Sequence, residues 1–189
     1  MKTVIAITGE AKAGKDTTAD FMMKITGGEK IPFAEKLKDQ ANMLGWNGIK
    51  DEKGRKMLQQ LGDVMRAYHG TSYYAARVAC SVPFANSNYV YVPDMRFKSE
   101  YETLLECAKS GAFKLIVIAI QRPGATLEGD LHEHQSEVQA RKLVEYIKDS
   151  GTGYYIDNSG TLEDLDCKAR EIAFNATKSG TDLRNTLFR

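Results

Sequence analysis

Gly9-Glu10-Ala11-Lys12-Ala13-Gly14-Lys15-Asp16-Thr17 decides how this chain is read. An apolar run, Val4-Ile5-Ala6-Ile7-Thr8, precedes it and has the character of a buried strand; Thr18-Ala19-Asp20-Phe21-Met22-Met23-Lys24 follows with the character of a helix. Strand, glycine-rich loop and helix are the context a phosphate-binding loop requires. Glycines let the backbone curl so that its N–H groups converge on an anion, and the helix N-terminus adds partial positive charge. Gly9, Ala11, Ala13, Gly14, Lys15, Asp16 and Thr17 are therefore the expected phosphate-binding set, with Lys15 reaching the outer phosphates. The residue after the lysine is Asp16, where Ser or Thr ordinarily helps hold Mg²⁺. A carboxylate suits that hard cation directly or through water, so Asp16 is the expected metal-side residue.

Outward from the loop, strand-like and helix-like segments alternate, which predicts an α/β fold with a mainly parallel sheet. Five segments read as extended: the first run, 30–33, 89–92 (ending at Pro93), 114–120 and 154–156. Helical patterns cover 34–44, 56–68, 71–80, 99–109, 136–149 and 161–173, the last opened by a Thr161/Asp164 capping box. The stretch 122–135 has glycine, proline and alternating charge with little to pack, the profile of a lid or binding loop.

With 189 residues, the chain is long enough for one full core, and one domain is the simplest expectation. A formal net charge of +1 offers no electrostatic case for a nucleic-acid polymer or a membrane surface as partner. Three widely spaced cysteines without CxxC pairing indicate neither a disulfide framework nor a zinc site, and suit a reducing cytoplasm. His132-Glu133-His134 lacks a nearby third ligand and reads as polar lid residues rather than a metal centre.

Phosphoryl transfer needs cations that hold two phosphate groups in line. Arg96 and Arg122 each follow a strand, and ligands in open parallel sheets lie outside the carboxyl ends of strands, on the rim that also carries the loop. Arg55 and Arg66 are eleven residues apart, about 20° around a helix axis but roughly 16 Å along it. Arg77 is a further candidate, and Asp94 either orders metal-bound water or nucleoside, or caps a turn.

Together these segments resemble the deoxynucleoside monophosphate kinases of tailed bacteriophages. The resemblance is carried, in order along nearly the whole chain, by Gly14-Lys15-Asp16-Thr17-Thr18-Ala19, Phe33-Ala34-Glu35-Lys36-Leu37-Lys38-Asp39, Leu58-Gln59-Gln60-Leu61-Gly62, Asp94-Met95-Arg96-Phe97, Arg122-Pro123-Gly124, His134-Gln135-Ser136-Glu137 and Ile156-Asp157-Asn158-Ser159-Gly160-Thr161-Leu162. It implies an adenylate-kinase-like fold with a five-stranded sheet, a nucleoside-monophosphate-binding segment near 33–80 and a short lid near 122–136. It implies transfer of the γ-phosphate of ATP, with Mg²⁺, to a deoxynucleoside monophosphate. Lys15, Asp16, Arg96 and Arg122 would then be catalytic, and Arg55, Gln59, Arg66, Arg77 and Asp94 would face the acceptor. The lid departs from the pattern in carrying no arginine between Arg122 and Arg141. Phosphomevalonate kinases share a similar layout at Arg55-Lys56, Asp94-Met95-Arg96 and Ser136-Glu137, so two acceptors stay open, as does a module that binds nucleotide without transfer. Oligomeric state is also open, a homodimer included.

Overall fold

A computed structural model describes residues 1–124 and 134–178. Its centre is a five-stranded sheet of β1 (Thr3–Thr8), β2 (Glu29–Lys30), β3 (Tyr89–Met95), β4 (Lys114–Gln121) and β5 (Tyr154–Asp157). The spatial order is β2-β3-β1-β4-β5, and every pairing is parallel. The α-helices among the described residues are α1 (Lys15–Thr26), α2 (Phe33–Met43), α3 (Glu52–His69), α4 (Tyr73–Ser81), α5 (Lys98–Lys109), α6 (Gln135–Ser150) and α7 (Leu162–Thr177).

Parallel strands covered on both faces read as continuous apolar runs, and β1 is buried at every position. Its pleat sends Val4 and Ala6 to one core, with Val78 of α4, Leu104 of α5 and Leu143 of α6. Ile5 and Ile7 face a second core, with Met22 of α1 and Leu165, Ala169 and Ile172 of α7. Each fully buried isoleucine stabilises the fold by roughly 1.5–3 kcal/mol relative to exposure. The two cores fix β1, and so the loop that follows it, at the middle of the sheet.

Three local departures from the sequence reading position the site. First, β3 does not stop at Pro93. It continues to Met95 through a bulge: Ala6 pairs with Val92 but Thr8 pairs with Met95, leaving Pro93 and Asp94 opposite Ile7 alone. Proline cannot donate to the ladder, so the register shifts there rather than the strand ending. Second, α3 begins four residues earlier than its apolar spacing indicated, because the Asp51 carboxylate accepts the Gly54 N–H at 2.7 Å and caps it. Arg55 is thus inside the helix. Third, α7 runs on to Thr177, past the expected end at 173, with Ala176 still buried in the second core. The Thr161/Asp164 capping box forms as expected, with Thr161 N–H on Asp164 at 2.8 Å and the reciprocal bond at 3.2 Å.

Candidate active site

The loop between β1 and α1 is held from below. Gly9 is packed so closely on β4 that a Cβ there would lie 2.5 Å from the Ile120 carbonyl oxygen. Gly14, with φ 105°, occupies the left-handed region, and a Cβ there would meet the Asn158 side chain at 2.7 Å. Asn158, just after β5, donates from Nδ2 to the Ala13 carbonyl at 2.9 Å. Lys15 is 7% exposed, and its ammonium donates to the Glu10 carbonyl at 2.6 Å. Burial, and then the neighbouring Arg96 charge, lower its pKa from the ordinary lysine value to about 8, against the opposing pull of Glu137, Asp16 and Asp94.

From this loop a cleft of about 360 Å³ runs towards α2 and α3. At the loop end it is lined by Ala11, Lys12, Lys15 and Asp16; further along come Lys38, Lys50, Arg55, Gln59, Arg66, Asp94 and Arg96. Phe33, Leu37, Leu58, Tyr74 and Phe97 give it an apolar and aromatic wall. Seven basic side chains against four acidic ones leave an excess of three positive charges, which suits a multiply phosphorylated ligand.

Most sequence candidates meet here. Of the loop set, Ala11, Lys15 and Asp16 line the cleft, while Gly9, Ala13 and Gly14 shape the loop from beneath and Thr17 sits in the first turn of α1. Arg55 and Arg66 both line it despite their separation along α3, because the cleft follows that helix. Arg66 folds back over Gly62, stacks 4.3 Å from the Phe97 ring centre and bonds Asp63 at 3.0 Å. Arg77 and Arg122 do not line the cleft; both are exposed, and Arg77 lies 5.5 Å from the Tyr73 ring centre. Most of the expected lid, together with His132 and Glu133, lies outside the described residues.

Asp94 is occupied. Its two oxygens accept the Phe33 and Ala34 N–H groups at 2.9 and 2.7 Å, capping α2, whose N-cap residue Pro32 has no side-chain acceptor to offer. Burial raises its pKa despite these bonds. Asp94 therefore caps neither its own turn nor an open one: it lies within β3, at the bulge, and caps the distant helix α2.

Four residues without a role in the sequence reading also belong to the site. Glu137, 3% exposed, pairs with Arg96 through one oxygen and accepts the Ala11 N–H at 3.0 Å through the other. Glu100 accepts the N–H groups of Arg96 and Phe97 at 2.8 and 3.0 Å, and burial pushes its pKa up to about 7. Lys38 and Lys50 line the cleft side by side; burial and then the Lys38 and Arg55 charges lower the Lys50 pKa. Spacing along the chain could not have disclosed Glu137, Lys38 and Lys50, whose neighbours come from other elements, whereas Glu100 caps the start of its own helix three residues after Phe97, a spacing the sequence does carry.

A divalent cation can be tested against these side chains. Among the described residues no group of three or more His, Cys, Asp or Glu could cage a metal. Mg²⁺ does not need such a cage, because one or two carboxylates plus substrate phosphates suffice. Asp16, 79% exposed beside the loop with Lys30 3.9 Å away, fits that description.

No protein-family model matches the chain. An uncharacterised protein, ORF77, of Ictalurid herpesvirus 1 is 25% identical over 166 residues, spanning 85% of this chain and 70% of the viral one. Among solved structures, a sugar kinase from Janibacter sp. HTCC2649 matches with a TM-score of 0.50 at 16% identity, over 96% of this chain and 99% of that one. The APS kinase of Mycobacterium tuberculosis gives 0.47 at 11% identity (94% and 98% covered), and shikimate kinase from Acinetobacter baumannii 0.46 at 12% (95% and 96%). The chain has the α/β fold of phosphate-loop kinases. No helix among the described residues is long and apolar enough to cross a membrane.

Proposed function

We propose that this protein transfers the γ-phosphate of ATP to the phosphate of a deoxynucleoside 5′-monophosphate. The observation that carries the reading is the continuity of the cleft: Lys15 on the donor loop and Arg55, Arg66 and Arg96 line one cavity beside an aromatic wall. Binding a single nucleotide does not require the second group of cations. A flat base against Phe33, Tyr74 and Phe97, with its phosphate turned to the arginines, does.

In this mechanism an acceptor phosphate oxygen attacks in line and needs no strong base, because it is already anionic. The loop amides and Lys15 bind the donor phosphates. Arg96 stands between donor and acceptor and screens the charge that spreads during transfer. Arg55 and Arg66, with Gln59, orient the acceptor, so that much of the rate arises from positioning. Asp16 would hold Mg²⁺, which when bound neutralises charge on the donor phosphates.

The test is a coupled ADP-release assay over dGMP, dTMP, dCMP, dAMP, the ribonucleotides and phosphomevalonate, with an acceptor-free control. Acceptor-dependent release with one or more deoxynucleotides is the expected result. Release only with phosphomevalonate reassigns the acceptor, and release indifferent to any acceptor removes the transferase reading.

A further inference from the structure

Arg96 lies near Lys15, and its charge disfavours the Lys15 ammonium. Two such groups in one cleft repel unless something holds them, and an unpinned arginine has many rotamers to lose on binding. The counter-charge is Glu137. Its carboxylate is 3% exposed, a placement costly for a charge unless it is paired and hydrogen-bonded. Both oxygens are used: one meets Arg96 Nη1, the other accepts the Ala11 N–H of the phosphate loop at 3.0 Å. It lies in the first turn of α6, where the helix dipole favours an anion.

The N-terminal part of α6 is itself anchored on both sides. Arg141 reaches Glu10 of the phosphate loop at 2.9 Å. His134 Nδ1 accepts the Ser136 N–H at 3.2 Å, so its Nε2–H donates to Asp63 of α3, 3.0 Å away. The other Asp63 oxygen bonds Arg66 at 3.0 Å. Glu137 is therefore fixed relative to both ends of the cleft before any ligand arrives. At the far side the Arg96 backbone is fixed by Glu100. A guanidinium has five N–H donors, so the ion pair at Nη1 leaves others for an anionic ligand in the cleft that Arg96 lines.

We propose that Glu137 is a positioning residue that locks the Arg96 guanidinium against the phosphate loop and so sets where the bridging cation meets the transferred phosphate. The functional part of this statement rests on the phosphotransfer reading above; the geometric part does not.

Two measurements test it. Arginine side-chain NMR on the ¹⁵N-labelled protein, with the Arg96 signal assigned by Arg96→Lys, reports rotation of the guanidinium. In the unsubstituted protein the Arg96 Nη protons are expected to be resolved and slowly exchanging. In Glu137→Gln, which keeps an acceptor for Ala11 but loses the charge, they are expected to merge into one averaged signal. Glu137→Asp retains the charge with a shorter reach and should keep the signals resolved, so the proposal stays testable if the glutamine variant folds poorly. Equal effects of Gln and Asp, or no change in either, overturn it.

The second measurement is chemical rescue. Millimolar guanidinium should restore turnover of Arg96→Ala at least tenfold, through the socket Glu137 provides, and should not restore Arg96→Ala/Glu137→Gln. Equal rescue of both overturns the proposal. If the NMR result holds but no acceptor is phosphorylated by the unsubstituted protein, the positioning role stands and the assigned reaction falls. Unchanged NMR signals beside normal phosphoryl transfer remove the positioning role alone.

Discussion

Asn158 donates its side-chain N–H to the Ala13 carbonyl at 2.9 Å, so the end of β5 holds the phosphate loop that leaves β1. The bond is buried, and Gly14 leaves the space that the amide fills. Asn158→Ala removes the donor and leaves a buried carbonyl unpaired, at a cost of about 1–3 kcal/mol. Chemical denaturation should show that loss. ADP affinity measured by calorimetry should fall as well, because the loop amides lose their common orientation; unchanged affinity would show that the loop holds its shape without β5.

Lys15 is expected to give turnover its steepest dependence on a single side chain. Lys15→Ala should lower the rate at least about a hundredfold, the scale seen when one charge-stabilising donor is removed, while circular dichroism stays unchanged. Its lowered pKa, about 8, adds a pH signature. Above that pH the free protein loses the ammonium, whereas bound phosphates favour it. ADP affinity should therefore weaken as pH rises past 8, by at most about tenfold per unit, and the slope should vanish in the alanine variant.

Glu100 binds its proton more tightly folded, at about 7, than at the ordinary value of 4.5. Between those values the folded state carries more protons than the unfolded one, so stability falls as pH rises from about 4.5 to about 7. Glu100→Gln cannot ionise. Its melting temperature relative to the unsubstituted protein should be higher at pH 7.5 than at pH 5, by about 5 °C. A difference independent of pH would show that Glu100 titrates normally.

Gly62 lies in the interior of α3, where glycine costs about 1 kcal/mol relative to alanine. A Cβ there would sit 2.9 Å from Arg66 Nη2 and push the guanidinium off its place over Phe97. Gly62→Ala is accordingly expected to leave the melting temperature unchanged or raise it while increasing the acceptor KM several-fold, with the ATP KM unaffected. An unchanged acceptor KM would mean that Arg66 does not meet the acceptor.

What the sequence disclosed follows from which features are local. The loop, its flanking strand and its helix are contiguous, and the apolar runs of β1 and β4 allow few other placements. The rim argument brought Arg96 to the cleft, because a residue just after a parallel strand has little freedom of place. It did not do the same for Arg122, which follows β4 equally closely but is exposed outside the cleft lining. Glu137 and Asn158 were illegible because the sheet order supplies their partners: β3 and β4 flank β1, and β5 lies beyond β4. Glu100, by contrast, bonds the N–H groups three and four residues before it, a local helix-start pattern that the sequence does carry. Asp94 required the bulge at Pro93, a register shift that strand periodicity does not reveal.

The central claim is that a phosphoryl group passes from ATP to a deoxynucleoside monophosphate. The most direct measurement incubates the protein with Mg²⁺, γ-³²P-labelled ATP and each deoxynucleoside monophosphate, then separates the products. The expected result is label in a deoxynucleoside diphosphate, abolished by Lys15→Ala. Label found only in inorganic phosphate, at the same rate with and without acceptor, would contradict it.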